Sequence, residues 1–312
     1  MAFGKCYGLT TPGSTISYGE RELGALGRSS SGSLVDPVAC PQGRGKPFSI
    51  SDWPGVGRYA LTMGSARTIW IVLPAFNEAA GLPILLDRID EFMVEESLSY
   101  RVVVVDDGSA DKTYQVAIEA AERLPVTVLR HEINQGLGAT VRDGILLVCR
   151  EGKDRDILVT LDADNTHTPG LIARMVRMIR EGHHVVIASR YRPGSRVRGV
   201  SLLRRILSTC ASLLMRILFP TKGVRDYTCG FRAYDLGVLQ RVVARGPESF
   251  FDQDGFQVMV DILLKLRRES DLVFGEVPLI LRYDVKEGES KMEIGATVRK
   301  TLRVIGNQFF RR

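Results

Sequence analysis

The stretch Ile157-Leu158-Val159-Thr160-Leu161-Asp162-Ala163-Asp164 decides how the rest of the chain is read. An apolar run of strand length, rich in β-branched residues, ends in two carboxylates separated by one small residue. Side chains along a strand alternate faces, so aspartates at i and i+2 point the same way. At the carboxyl end of a buried strand they set two anionic oxygen ligands side by side at the rim of a sheet. Hard divalent cations such as Mg²⁺ or Mn²⁺ take such ligands and often share them with substrate phosphates. An acidic turn after a strand has the same composition, since Asp is an ordinary turn former. The neighbouring segments choose between the two.

Upstream, Thr68-Ile69-Trp70-Ile71-Val72-Leu73 is a continuous apolar run stopped by Pro74, and Arg101-Val102-Val103-Val104-Val105 is another, broken by Asp106-Asp107-Gly108-Ser109. Such runs read as buried strands of a parallel sheet. Between and beyond them, helical spacing falls at Leu82, Leu85, Leu86, Ile89 and Phe92, over residues 111–123, through Val141, Ile145 and Val148, and over 169–181. Val126-Thr127-Val128-Leu129 and Val185-Val186-Ile187-Ala188-Ser189 read as further strands, with a later helix over 254–268 and a strand over 277–281. This alternation predicts an α/β fold of three layers, α/β/α and Rossmann-like, with a mostly parallel central sheet. Ligands of such sheets bind outside the carboxyl ends of the strands. Residues 74–78, 106–109, 162–164 and 189–191 all fall at that edge, which predicts one cleft.

At 312 residues and 45% hydrophobic, the chain is long enough for a large core. A net charge of +6 suits an anionic partner: a phosphorylated ligand, a membrane surface or nucleic acid. Nucleic acid is disfavoured, because the basic residues are not interleaved with an aromatic stacking platform. The five cysteines are odd in number and widely spaced, so neither a disulfide framework nor a zinc site is indicated. No apolar run is long enough for a transmembrane helix, and no secretory signal stands at the N-terminus. A cytoplasmic protein with peripheral membrane contact is expected. Residues 1–66, rich in Gly, Ser and Pro, read as a poorly ordered leader. Residues 67–300 read as the catalytic domain and 301–312 as a basic tail attracted to anionic lipid.

Pro74-Ala75-Phe76-Asn77-Glu78, Val105-Asp106-Asp107-Gly108-Ser109, Asp162-Ala163-Asp164 and Ser189-Arg190-Tyr191 stand in the order found in family-2 inverting glycosyltransferases. With Asp226-Tyr227-Thr228-Cys229-Gly230-Phe231-Arg232 and Gly288-Glu289-Ser290-Lys291, the chain over roughly 68–300 resembles the dolichol-phosphate mannosyltransferase branch. That resemblance implies the GT-A nucleotide-sugar glycosyltransferase fold. It implies transfer of a hexose, mannose from GDP-mannose first and glucose from UDP-glucose second, to a polyprenyl or dolichyl phosphate. It also implies roles by position. Pro74, Phe76 and Glu78 contact the nucleoside, and Val105 and Asp107 line the base and ribose pocket. Asp162 and Asp164 hold a divalent metal on the diphosphate, with Ala163 against the nucleotide, while Arg190 and Lys291 bind donor phosphate. The loop over 134–138 forms a further wall. The branch usually carries an arginine six residues before the lysine; Val285 stands there instead.

Residues 202–219 predict an amphipathic helix. Leu202, Leu203, Ile206, Leu207, Leu213, Leu214, Ile217 and Leu218 make a wide apolar face, and Arg204, Ser208, Ser212 and Arg216 recur on another. Such a helix packs on a core or lies in a membrane interface. The resemblance assigns Arg204 and Ser208 to the acceptor phosphate. A polyprenyl phosphate is already an oxyanion and needs no general base, which agrees with the absence of a histidine suited to that work. His167 reads as support for the metal pair, His131, His183 and His184 lie off the motifs, and Asp252 and Asp254 are fallback bases. Two rivals stand beside this reading: transfer to a saccharide hydroxyl in cell-wall or exopolysaccharide synthesis, and a non-catalytic nucleotide-sugar-binding scaffold.

Overall fold

The computed structural model describes residues 67–199, 202–282 and 303–306. The expected leader over 1–66 and most of the expected tail therefore lie outside the described residues. The first half of the chain alternates as read: β1 (Ile69–Ala75), α1 (Gly81–Glu95), β2 (Tyr100–Asp106), α2 (Thr113–Ala121), β3 (Val126–Arg130), α3 (Leu137–Glu151), β4 (Ile157–Thr160), α4 (Leu171–Arg180) and β5 (Val185–Ser189). The central strands are buried on both faces, which is why they read as unbroken apolar runs. Helix α1 starts one residue before Leu82, the first apolar position of its spacing. Asn77 takes a left-handed φ of 53° and the amides of residues 77–79 bond to side chains of the next loop, so the helix cannot start before Gly81.

The seven-stranded sheet has the order β3-β2-β1-β4-β7-β5-β8. All neighbours are parallel except β7 (Arg232–Asp235), which runs antiparallel between β4 and β5. This strand was not expected from the sequence; its four residues carry Arg at one end and Asp at the other. The strand expected over 277–281 divides instead into β8 (Phe274–Pro278), which pairs with β5, and β9 (Ile280–Arg282), which pairs with β6 (Arg196–Arg198) in a small second sheet. Helix α5 (Leu202–Leu218) follows β6; α6 (Leu236–Ala244), α7 (Pro247–Phe250) and α8 (Val258–Leu266) complete the chain order. Helix α8 is shorter at its start than the expected 254–268, beginning only after Gly255. Val304 and Ile305 are buried in the common core, so this part of the expected tail packs on the domain rather than trailing from it.

Helix α3 lies close against β1 and β2 because Gly144 presents no side chain there. A Cβ at that position would stand 2.5 Å from Val72 Cγ1 and 3.2 Å from Val105 Cγ2. Gly144→Ala therefore overpacks a dense interior and is expected to cost about 1–3 kcal/mol. A urea unfolding midpoint unchanged from wild type would contradict that packing.

Candidate active site

Strand order reverses at the β1/β4 boundary, since β2 and β3 extend the sheet to one side of β1 and β4 begins the other. Open α/β sheets bind ligands at such a switch point. Residues 74–78 leave β1 here, and 162–164 leave β4 just past the amide of Leu161, which donates to Val72 O at 3.1 Å. The loops after β1 and β2 brace one another. Asn77 N donates to Ser109 Oγ (2.9 Å), Ala110 N to Asn77 Oδ1 (2.8 Å), and Glu78 N to Thr113 Oγ1 (2.7 Å). Pro74, Phe76 and Glu78 are half-buried at this edge.

Three residues expected at the nucleotide are buried at this edge. Val105 is wholly buried and packs toward Gly144, because strand alternation turns it into the core rather than to the pocket. Ala163 is likewise buried. Asp107 is buried too, and its carboxylate accepts from Gln135 N (2.9 Å) and Gly136 N (2.8 Å) and meets His131 Nδ1 at 2.7 Å. It braces the 134–138 loop. His131, which the sequence set aside as off the motifs, belongs to this edge.

Asp162 and Asp164 do face outward. The Asp162 side chain is 48% exposed, and Asp164 is half-buried, its Oδ1 accepting from Thr166 Oγ1 (2.7 Å) and Thr166 N (3.2 Å). Asn165, between them and Thr166 in the turn, takes a left-handed φ of 56° and accepts from Arg88 Nη1 at 3.0 Å. Beside the pair, His167 is buried with its Nδ1 3.8 Å from Asp162 Oδ2 and without a hydrogen-bond partner. Its ring tilts 52° against Phe231 at 5.3 Å. Two hard carboxylates with a supporting imidazole fit a divalent cation. No group of three His, Cys, Asp or Glu converges among the described residues, so the remaining ligand positions suit phosphate or water oxygens, as Mg²⁺ prefers.

The antiparallel strand β7 delivers residues 226–231 to the same edge. Asp226 is fully buried and grips Arg190 through Nε (2.8 Å), Nη2 (2.7 Å) and the backbone N (3.0 Å), while Thr228 Oγ1 also accepts from Arg190 Nη2. Burial alone would lower the Arg190 pKa, but Asp226 beside it raises it; burial pushes Asp226 up, and Arg190 more than reverses this. Both are therefore charged. Arg190, expected on donor phosphate, is 23% exposed and already neutralised by a carboxylate. Glu276 accepts from the amides of Arg225 (2.5 Å) and Asp226 (2.8 Å), and buried Arg232 donates to the carbonyls of Tyr227, Cys229 and Met259. The 226–232 motif is thus a scaffold for the edge.

The described part of helix α5, from Ser208 on, packs one side on the core and leaves several apolar side chains outside. Its inward row is Ser212, Met215 and Phe219, with Ser212 Oγ donating to Arg225 O at 2.5 Å. Leu213, Leu214 and Ile217 face out at 53%, 40% and 68% exposure. Ser208 Oγ lies 2.9 Å from Tyr191 Oη, which ties the helix to the donor edge one residue from Arg190. The side chain of Arg204, and Val285 and Lys291 entirely, lie outside the described residues. Asp252 is held by Lys265 Nζ at 2.7 Å, and although burial pushes its pKa up, that contact brings it below the usual value, the wrong direction for a base.

The description "Glycosyl transferase family 2" matches residues 70–243. The chain is 33% identical over 236 residues to a dolichol-phosphate mannosyltransferase of Pyrococcus furiosus, covering 75% of this chain and 62% of that one. It is 30% identical over 251 residues to a polyprenol monophosphomannose synthase of Mycolicibacterium smegmatis, covering 80% and 89%. An undecaprenyl-phosphate mannosyltransferase of Micrococcus luteus is 33% identical over 227 residues, covering 72% and 87%. Among solved structures, glucosyl-3-phosphoglycerate synthase of Mycobacterium tuberculosis, with Mn²⁺, uridine diphosphate and glucosyl-3-phosphoglycerate, superposes with a TM-score of 0.57. That match is at 24% identity and covers 78% of this chain and 80% of that one. It identifies the fold as GT-A.

Removing one partner of a buried ion pair strands the other, so Asp226→Ala is expected to lose about 3–5 kcal/mol by urea unfolding at neutral pH. Because the folded pKa of Asp226 is lowered, its stabilisation is full above about pH 4, the unfolded carboxylate value, and is lost as pH falls through the folded value. The difference between wild type and variant should therefore shrink in acid; a constant difference would contradict the pairing.

Proposed function

The chain belongs to glycosyl transferase family 2, and from that membership and the geometry of its edge we propose that it moves a hexose, with mannose from GDP-mannose as the donor, onto a polyprenyl or dolichyl phosphate at a membrane surface. The names of the three relatives support the lipid-phosphate acceptor and the sugar. The observation that carries the reading is helix α5: it turns leucines to the solvent and is pinned through Ser208 and Tyr191 to the strand end that carries Arg190. No helix among the described residues is long and apolar enough to cross a membrane. An isoprenoid-tailed acceptor is then reached by an interfacial helix.

Asp162 and Asp164 would hold a divalent cation, which supplies electrophilic stabilisation to a departing nucleoside diphosphate. Pro74, Phe76 and Glu78 form the nucleoside side of the cleft, with the 134–138 loop as its further wall. Arg190 contributes a fixed guanidinium whose charge Asp226 largely offsets, so its part is orientation more than charge. Arg204, Ser208 and Lys291 are proposed to bind acceptor and donor phosphates. The attacking oxygen of a phosphate monoester is already anionic, so the acceptor needs alignment behind the anomeric carbon and not deprotonation. The displacement is in line, and the product carries the inverted anomeric configuration.

With labelled GDP-mannose, polyprenyl phosphate and Mn²⁺, Asp162→Asn and Asp164→Asn are each expected to lower transfer into the organic phase by about 100-fold or more. Transfer that survives both substitutions would overturn the reading, and a preference for UDP-glucose in the same assay would change the sugar alone. Replacing Leu213, Leu214 and Ile217 together by Ser removes apolar surface and is expected to weaken liposome binding about tenfold or more. Unchanged sedimentation with liposomes would count against the interfacial helix.

A further inference from the structure

His131 is the buried titratable group at the donor edge that the transfer reaction leaves unused. It follows β3 and is 1% exposed. Both ring nitrogens face carboxylates, Nδ1 to Asp107 Oδ1 at 2.7 Å and Nε2 to Asp143 Oδ2 at 3.0 Å. A neutral imidazole has one N–H and satisfies one acceptor; only the imidazolium donates to both. Arg142 shares Asp143 with the ring, its Nε donating to Oδ1 (2.7 Å) and its Nη2 to Oδ2 (3.2 Å), while Arg130 reaches toward Asp106 (3.6 Å) and over the Tyr114 ring (4.4 Å). No such cation stands on the Asp107 side, where the partners besides the imidazole are the amides of Gln135 and Gly136. Burial alone would lower the His131 pKa, but Asp107 and Asp143 bring it up to about 9.

Through Asp107 the imidazolium acts on the loop. Asp107 Oδ1 is shared between His131 and Gln135 N, and Oδ2 accepts from Gly136 N. From the other side, Gly138 N donates to Asp254 O at 2.8 Å, and a Cβ on Gly136 would lie 2.6 Å from the same oxygen. Gly108, at φ 66°, abuts Ile133 so closely that a Cβ there would stand 2.6 Å from the Ile133 carbonyl carbon. The segment is fixed against the 106–109 edge with no slack.

We propose that His131 is a positioning residue for donor nucleotide binding: by holding Asp107 between itself and the amides of Gln135 and Gly136, it sets the 134–138 wall of the cleft. This rests on the donor reading above. His131 touches no reacting atom, so it acts on donor affinity and leaves the transfer step alone.

The test uses the full chain, with GDP and UDP plus Mn²⁺ as calorimetric probes, and GDP-mannose turnover. In His131→Gln the KM for donor should rise about tenfold, the scale seen when a residue supporting a binding group is removed, while kcat at saturating donor changes less than about twofold. In wild type, nucleotide affinity should hold below about pH 8 and fall as pH passes about 9, because a group with a raised pKa delivers its effect below that value and loses it above. The probes' own bases lose a proton in the same range, so the fall should be smaller in the variant than in wild type rather than absent. An unchanged donor KM, an equal loss in kcat, or an alkaline fall as large in the variant as in wild type would overturn the proposal. Should the variant not fold, the imidazole resonance of His131 in wild type decides it. Saturating nucleotide must raise its pKa, by the reciprocity of linked binding, and a pKa that does not move overturns the proposal. Wild type that binds no nucleotide overturns the donor reading itself, whereas wild-type binding with an unaffected variant overturns only the role of His131.

Discussion

A partly exposed Arg190 and a fully buried Asp226 are bound to each other, and the shape of the donor edge depends on that pair. Taking a guanidinium and a carboxylate out of solvent is costly unless each is met by further hydrogen bonds. Here Asp226 also accepts from the amides of Arg190, Thr228 and Cys229, and Glu276 receives the amides on its other side. The consequence is a rigid corner joining the end of β5 to the turn that enters β7, with Asp162 beside Gly230 of that turn, where an added Cβ would lie 3.3 Å from Asp162 Oδ1. A rigid corner places groups well but has little spare charge. With Arg190 matched by Asp226, a leaving diphosphate must find its compensation elsewhere, and the proposed source is a cation on the two outward carboxylates, Asp162 and Asp164.

The central sheet was legible in the sequence because strands covered on both faces show as continuous apolar runs ending in Pro, Asp or Ser. Strand β7 was not, because Arg232 reads as a surface residue until its guanidinium is seen donating to three buried carbonyls. The three-residue strands β6 and β9 are too short to carry a period. Asp162, Asp164, Pro74, Phe76 and Glu78 lie at the carboxyl edge of the sheet, a position that strand ends alone indicated. The partners of Asp107 and Arg190 were not, since one contact spans 24 residues and the other 36. Side chains that look available for a ligand are committed across the fold, and no local pattern reports such a commitment.

Helix α5 shows a different gap between pattern and place. Its spacing separates an apolar row from a polar one, and the expectation that the apolar row faces the core is correct for most helices. Here Ser212 turns in because a carbonyl of the 226 turn needs a donor, and Met215 and Phe219 supply enough apolar contact for that side. Periodicity identifies the faces of a helix; a polar need of a neighbour can still turn a serine inward among the apolar residues that pack.

Leu213, Leu214 and Ile217 also govern how the protein behaves away from lipid. A leucine row kept in water is the surface on which copies of a protein adhere. Solubility, retention on a sizing column and tolerance of high concentration thereby become functions of detergent. For this chain, the outward side of α5 is expected to contribute to those bulk properties.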